Sequence, residues 1–463
     1  MPTLRSTLAA LAAAMSLVAS LDSPARDLTP RDQRMARFAL SQARIQTLAA
    51  ARSATTSSPL SAEESLGALL FADQDLSLKR NQACASCHSL QPAIDGQTGK
   101  PLPVAAFVDP RNVRNGSAVS KGSVSTRTGT LNAPSIAYAS FSPFFFWNAV
   151  DGLYMGGQFW NGRASTLRDQ AAEPFLARHE MVMPSRAAVI ARLQEKVSYL
   201  ALFARVYGIN LSKIPSANSS AVESGAIDAV YTAMTRAIAA FEKSRTFNRF
   251  TSKFDYFLSG ATALSAAELR GLDVFNGQGN CAACHPSTAT FAPDGSVMPP
   301  LFTDFSYDNI GLPRNVDIPG NPTPNRGLGG RVDIAARDPS GADLGKHKVM
   351  GLRNIALTAP YGHNGVFRTL ETIVHFYNTR DVLGRVADIH TAGFGTTGWP
   401  APEISRTVNH EELGALGLND AQEADLVSFL GALSDGYPDW GRDPRVPTGT
   451  PSPYADMPFP PLP

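Results

Sequence analysis

Cys84-Ala85-Ser86-Cys87-His88 recurs as Cys281-Ala282-Ala283-Cys284-His285, and the two stretches use all four cysteines of the 463-residue chain. Two thiols three positions apart can each add to one vinyl group of a haem, and the next histidine is then placed to ligate the iron. A CxxC pair alone also serves as half of a zinc site or as a redox disulfide. Neither of those uses calls for a histidine at the following position, twice. Each copy therefore reads as one covalently held haem c, with Cys84, Cys87 and His88 holding the first and Cys281, Cys284 and His285 the second. No cysteine remains for a structural disulfide.

The motifs lie about 200 residues apart in a chain too long for one typical core, so one haem per domain is the simple division. Hydrophobic residues make up 43% of the sequence and the formal charge is +1, with no basic excess of the kind that binds nucleic acid. Haem propionates would make the loaded protein more acidic. Residues 1–25 have the layout of a secretory signal peptide: Arg5, an apolar run, then small residues near Ala19-Ser20 and Pro24-Ala25. The run is short and alanine-rich for a membrane span. Export agrees with haem c, whose attachment is completed outside the cytoplasm, and places the mature protein in the periplasm.

The elements that must position the motifs are mostly helical. A helix is expected over 31–52, with Met35, Phe38, Ile45 and Leu48 on one face, followed by a Ser/Thr-rich linker. A short helix, 62–71, leads toward the first motif, and another, 265–275, leads into the second with Ser265 as N-cap and Glu268 three residues on. Apolar residues at helical spacing mark 186–207 and 227–241, and two further pieces, 370–378 and 420–433, close the fold. Long ordered loops are expected over 88–130 and 290–343, where Gly, Pro and Asn or Asp recur. The aromatic stretch 141–160 fits a β-hairpin whose rings are expected mostly in the core. The fold class is thus mainly α: two cytochrome c-like haem domains with long ordered loops and a small β-hairpin. The expected division is a signal peptide 1–25, an N-terminal helix and linker 26–60, haem domains 61–250 and 251–440, and a proline-rich tail 441–463 extended over the surface.

Between the motifs run Asn132-Ala133-Pro134-Ser135, Phe159-Trp160-Asn161-Gly162-Arg163, Glu180-Met181 and Ala240-Phe241-Glu242. After the second comes Leu352-Arg353-Asn354-Ile355-Ala356-Leu357-Thr358-Ala359-Pro360-Tyr361. In this order and spacing, from about Ser61 to Tyr437, the chain resembles the bacterial di-haem cytochrome c peroxidase and MauG superfamily. The resemblance implies that the first haem is the peroxidatic one and that Glu180 is its acid/base group, since peroxide must lose a proton from one oxygen and gain one on the other. It implies that Trp160 couples the two haems. His179, beside Glu180, is a chemical alternative for which the family pattern has no place.

Two departures bear on mechanism. Many peroxidases of the family block the first iron with a second histidine, yet no histidine occurs between His88 and His179 here. The first haem is therefore expected to be open. Where the peroxidases place a methionine on the second iron, alignment of the 370–377 segment puts Tyr377, as in the MauG-like branch; His375, Met350 and Met298 are the competing ligands. The resemblance also implies a calcium ion held by the Asn132 side chain and by the backbone carbonyls of Thr358 and Pro360. The leading expectation is a di-haem peroxidase that reduces hydrogen peroxide with electrons from a small donor such as a cytochrome c or cupredoxin. The alternatives are a MauG-like oxidase that modifies residues of a partner protein, and a di-haem electron carrier without chemistry of its own.

Overall fold

The computed structural model describes residues 29–50, 59–94, 101–102, 104–215, 221–291, 297–319 and 324–457. The signal peptide, most of the Ser/Thr linker and the last six residues lie outside them. The described chain is helix-rich, and its β-structure is limited to two-stranded pairs. No described helix is long and apolar enough to cross a membrane.

Two helix pairs organise the molecule, and they are built alike. Ala62–Ala72 starts at a capping box in which Ser61 and Glu64 satisfy each other's backbone N–H groups; Ala266–Asn276 starts at the same box made by Ser265 and Glu268. Gly67 of the first helix rests against Ala221–Lys243, where an added Cβ would stand 1.9 Å from the Ala237 carbonyl oxygen and 2.8 Å from Phe241 Cβ. Gly271 repeats this against Asp420–Gly431, at 2.0 Å from the Asp425 carbonyl oxygen and 2.7 Å from Phe429 Cβ. Only a residue without a side chain lets two backbones approach so closely. One helical turn further along, Phe71 and Phe275 meet Phe241 and Phe429 edge-on.

Around each pair lies a hydrophobic cluster. One takes Leu66, Phe71, Met234 and Phe247; the other takes Phe254, Phe275, Phe376, Trp399 and Phe429. The N-terminal helix Pro30–Ala50 buries Phe38 and Ile45 in the second cluster, and Arg34 donates to the Asn276 carbonyl at 2.9 Å.

Three expectations need correction. The run 186–207 is two helices, Arg186–Gln194 and Val197–Tyr207, because the chain turns at Lys196, whose ammonium reaches both oxygens of Asp73 at 2.7 Å. The hairpin forms, Phe146–Asn148 against Leu153–Met155, but its aromatics are not mostly core: Phe144, Phe146 and Trp147 are about half exposed. A two-stranded ribbon can bury only one side, and that side goes to Phe145, stacked on Tyr154 and set against Tyr307. The proline-rich tail is not loose on the surface as far as Met457. Val446, Tyr454 and Met457 are buried, and Arg245 donates to the carbonyls of Ala455 and Met457 at 2.7 Å each.

Candidate haem and peroxide site

Gly277 to Asn280 ends the Ala266–Asn276 helix and brings the chain into the turn Cys281–Ala283. His285 follows, with Nδ1 2.7 Å from the Phe302 carbonyl oxygen, which makes Nδ1 the donor and leaves Nε2 with a free lone pair. Burial pushes His285 down to about 4, so the ring is neutral and able to ligate a metal. The four cysteines form no disulfide with one another and are available for thioethers to haem. Cys281, Cys284 and His285 line one apolar cavity together with Leu312, Leu370, Ile373, Leu426 and Tyr377. Burial, and then the neighbouring Cys281 and Cys284, hold the Tyr377 phenol above its usual range.

Tyr377 thus shares a cavity with the second motif, and two of its competitors do not line it. His375 is held 3.0 Å from both oxygens of Glu423, and Met298 lies in the Val297–Met298 strand. Met350 does line the cavity.

At the first motif the short helix Cys84–Cys87 is fixed by Ser86, whose hydroxyl accepts from the Ala83 N–H at 2.9 Å. His88 Nδ1 lies 3.2 Å from the Phe107 carbonyl oxygen, and burial lowers the ring below its ordinary value. Glu180 stands close enough to both thiols to act on their ionisation. Its backbone is held on both sides: its N–H donates to Ala177 O at 3.0 Å and its carbonyl accepts from Ser123 at 2.7 Å. Gly122 makes that approach possible, since an added Cβ there would be 2.3 Å from the His179 carbonyl oxygen. Burial raises the Glu180 carboxyl above the usual range, with Arg163 opposing and Glu173 adding to the shift. A carboxyl raised in this way keeps its proton more readily than an exposed one and can still give it up to a neighbour.

Trp160 lines the cavity of the second motif and also a smaller one that reaches Pro134 and Asn132, and its Nε1 donates to the Asn132 carbonyl at 2.8 Å. Asn132, Thr358 and Pro360 line this smaller cavity together. The Asn132 amide nitrogen donates to the Pro360 carbonyl oxygen at 2.7 Å, so the side chain reaches one of the two backbone oxygens, and the amide would have to turn its Oδ1 inward to ligate a cation there. Neutral oxygens of this kind fit a hard cation that completes its shell with water.

Two buried groups carry no mark of chemistry in the sequence. Glu242 lies beside Cys84, its Oε2 has no hydrogen-bond partner among the described residues, and burial pushes its carboxyl up to about 8. Lys348 borders both cavities. Nothing local signals either, because a charged residue in a short strand or at a helix end is ordinarily exposed.

Residues 61–263 match the family model for di-haem cytochrome c peroxidase. The chain is 36% identical over 378 residues to the methylamine utilization protein MauG of Paracoccus denitrificans, covering 80% of this chain and 88% of that one. It is 31% identical over 314 residues to the cytochrome c peroxidase Ccp of Escherichia coli, covering 67% of this chain and 51% of that one. Among solved structures, the diheme peroxidase BthA of Burkholderia thailandensis superimposes with a TM-score of 0.62 at 27% identity, covering 86% and 92% of the two chains.

Proposed function

Because the chain belongs to the di-haem cytochrome c peroxidase family, we propose that it reduces hydrogen peroxide at the motif of His88 and takes in electrons through the motif of His285. Bound haem supplies, at each motif, an iron that exchanges single electrons, and at the first an iron that coordinates peroxide. The overall change is H2O2 + 2 e− + 2 H+ → 2 H2O, so two electrons come from an outside donor. Cys84 and Cys87 would tether the first haem and Cys281 and Cys284 the second, while the neutral Nε2 of His88 and of His285 would ligate the irons.

The observation that carries the reading is the asymmetry of the two motifs. The buried carboxyl of Glu180 lies near Cys84 and Cys87, whereas the phenol of Tyr377 lines the cavity of Cys281, Cys284 and His285, whose own carboxyls, Asp308 and Glu412, gather at the Cys284 thiol. Glu180 takes the proton from one peroxide oxygen and delivers it to the other, which leaves as water. Tyr377 would supply the second iron with an oxygen ligand. Trp160, which lines the cavity of the second motif and the smaller cavity beside it, is the ring that would carry electrons between the two haems. Asn132, Thr358 and Pro360 hold a calcium ion that fixes the Trp160 segment. The division into haem domains 61–250 and 251–440 is supported by the two helix pairs, each with its own cluster. The protein acts in the periplasm, with a small cytochrome c or cupredoxin as donor.

Tyr377 favours one alternative, a MauG-like oxidase that oxidises residues of a protein partner. Turnover of peroxide with a reduced cytochrome or cupredoxin, compared with turnover against a protein substrate, separates the two. Fast oxidation of the small donor supports the peroxidase; peroxide consumption only in the presence of a protein substrate overturns it in favour of the oxidase.

A further inference from the structure

Lys348 is a buried cation with no carboxylate among its contacts. Its side chain is in the interior. Nζ donates to Ser142 Oγ at 2.5 Å and to the Gly157 carbonyl, and it sits 5.4 Å from the centre of the Phe305 ring. None of the ion pairs among the described residues includes it. A buried ammonium held only by neutral oxygens is costly, and the ordinary remedies are loss of the proton or an anionic partner. Burial alone would lower Lys348 to about 7.

The place of Lys348 names the anion. It lines the cavity of Cys281, Cys284 and His285, and with Trp160, Val349, Met350 and Tyr361 it also lines the smaller cavity. Cys281, Cys284 and Glu412 border only the first, so Lys348 belongs to the end remote from the thiols. A haem fastened through its vinyl edge directs its two propionates to the opposite edge. The other groups facing this end do not supply a cation. Arg353 is committed to Asp255, at 2.9 Å through each of two nitrogens. His347 and His363 are stacked at 3.6 Å, and burial drives both toward the neutral form. Tyr307 donates to the Gly156 carbonyl, and Tyr138 is bound to Asp435. Asp308 and Glu412 are acids, and with Cys284 they mark the thiol end.

We propose that Lys348 is the counter-cation of a propionate of the second haem. The inference rests on the di-haem reading. It makes Lys348 a positioning residue: its own backbone N–H donates to the Trp160 carbonyl at 2.8 Å, so one residue ties the haem edge to the ring that lines both cavities. Paired in this way, the propionate stays ionised through the acid range, and the potential of the second haem varies little with pH.

The test is a potentiometric titration of the holoprotein from pH 5 to 8 for wild type, Lys348→Met and Lys348→Arg, with haem counted first by the pyridine haemochrome. Fewer than two haems in the wild type would remove the underlying di-haem reading. With two haems present, Lys348→Met should have a lower second-haem potential at pH 8 and gain a pH-dependent limb as the unpaired propionate titrates, while Lys348→Arg stays like wild type. Identical potentials and profiles in Lys348→Met and wild type would overturn the pairing. Should Lys348→Met fail to load haem, infrared spectra with 13C-labelled propionates decide between wild type and Lys348→Arg at pH 5: protonation of all four propionates, two on each haem, would overturn the pairing, as would a persisting carboxylate band that is the same in both proteins, and a persisting carboxylate band that shifts in Lys348→Arg would support it.

Discussion

Trp160 gives its indole N–H to the backbone carbonyl of Asn132 at 2.8 Å, and Asn132 is itself fixed through its own N–H to His363 O at 2.8 Å and its amide to Pro360 O. The ring that lines both cavities is therefore locked to the segment of the proposed calcium ligands. Trp160→Phe keeps an aromatic ring but leaves the Asn132 carbonyl without its donor, at a cost of about 1–3 kcal/mol. Both haems should still load, and electron exchange between them should slow. Stopped-flow spectra after mixing with peroxide read this directly; exchange at the wild-type rate would remove Trp160 from the path.

Glu180→Gln keeps the shape of the side chain and removes the proton-transfer group. The reaction with peroxide should slow by ~10²–10⁴-fold while haem content is unchanged. The raised carboxyl also sets a pH profile. The base form is lost as pH falls through the raised value, so the wild-type rate should drop at a pH above the ordinary carboxylate range, and the variant should lack that limb. A profile shared by both proteins would assign the limb to another group.

The second haem's ligand can be read from its spectrum. Exchanging Tyr377 for Met removes an oxygen donor and supplies a thioether, so the second potential should rise and the low-spin spectrum should change. Retention of the wild-type spectrum would hand the position to another group, and Met350, which borders the same cavity, would be the next residue to replace.

Much of this arrangement is legible in the chain itself, for physical reasons. The capping boxes at Ser61 and Ser265 are written in local residue types, and local hydrogen bonds decide them. The covalent chemistry of Cys-x-x-Cys-His depends on spacing alone, and the motif does bring its histidine to a buried cavity at the second site. What sequence periodicity does not give is which side of an element meets a partner across the fold. The hairpin rings of Phe146 and Trp147 face outward because no third strand covers them, and Tyr454 is buried because Arg245 and Phe250, some two hundred residues earlier, receive the tail. Lys348 and Glu242 escape notice for the same reason: their burial is a tertiary fact.

The glycine contacts predict that the two helix pairs respond alike. Gly67→Ala and Gly271→Ala each place a methyl about 2 Å from a backbone carbonyl oxygen, which cannot rotate away as a side chain would. Overpacking of this kind costs about 1–3 kcal/mol or more. Each variant should melt earlier than wild type in thermal unfolding followed by circular dichroism. An unshifted melt for either would mean that its helix pair tolerates a wider separation than the capped geometry suggests.

Glu242 gives a pH-dependent stability with a definite sign. Its folded value is raised by burial to about 8 from an ordinary 4.5. A carboxyl raised in this way favours the fold while protonated in both states, below about 4.5, and that contribution is lost as pH rises through 8, where the folded protein must bury a carboxylate or unfold. At ~1.4 kcal/mol per unit of displacement, the loss amounts to several kcal/mol. Glu242→Gln is neutral throughout. It should match wild type in urea unfolding at pH 4 and exceed it increasingly from pH 5 to 9. A constant difference across that range would show that the carboxyl already has an anion-stabilising partner in the loaded protein, and the haem beside Cys84 would then be the place to search for the donor.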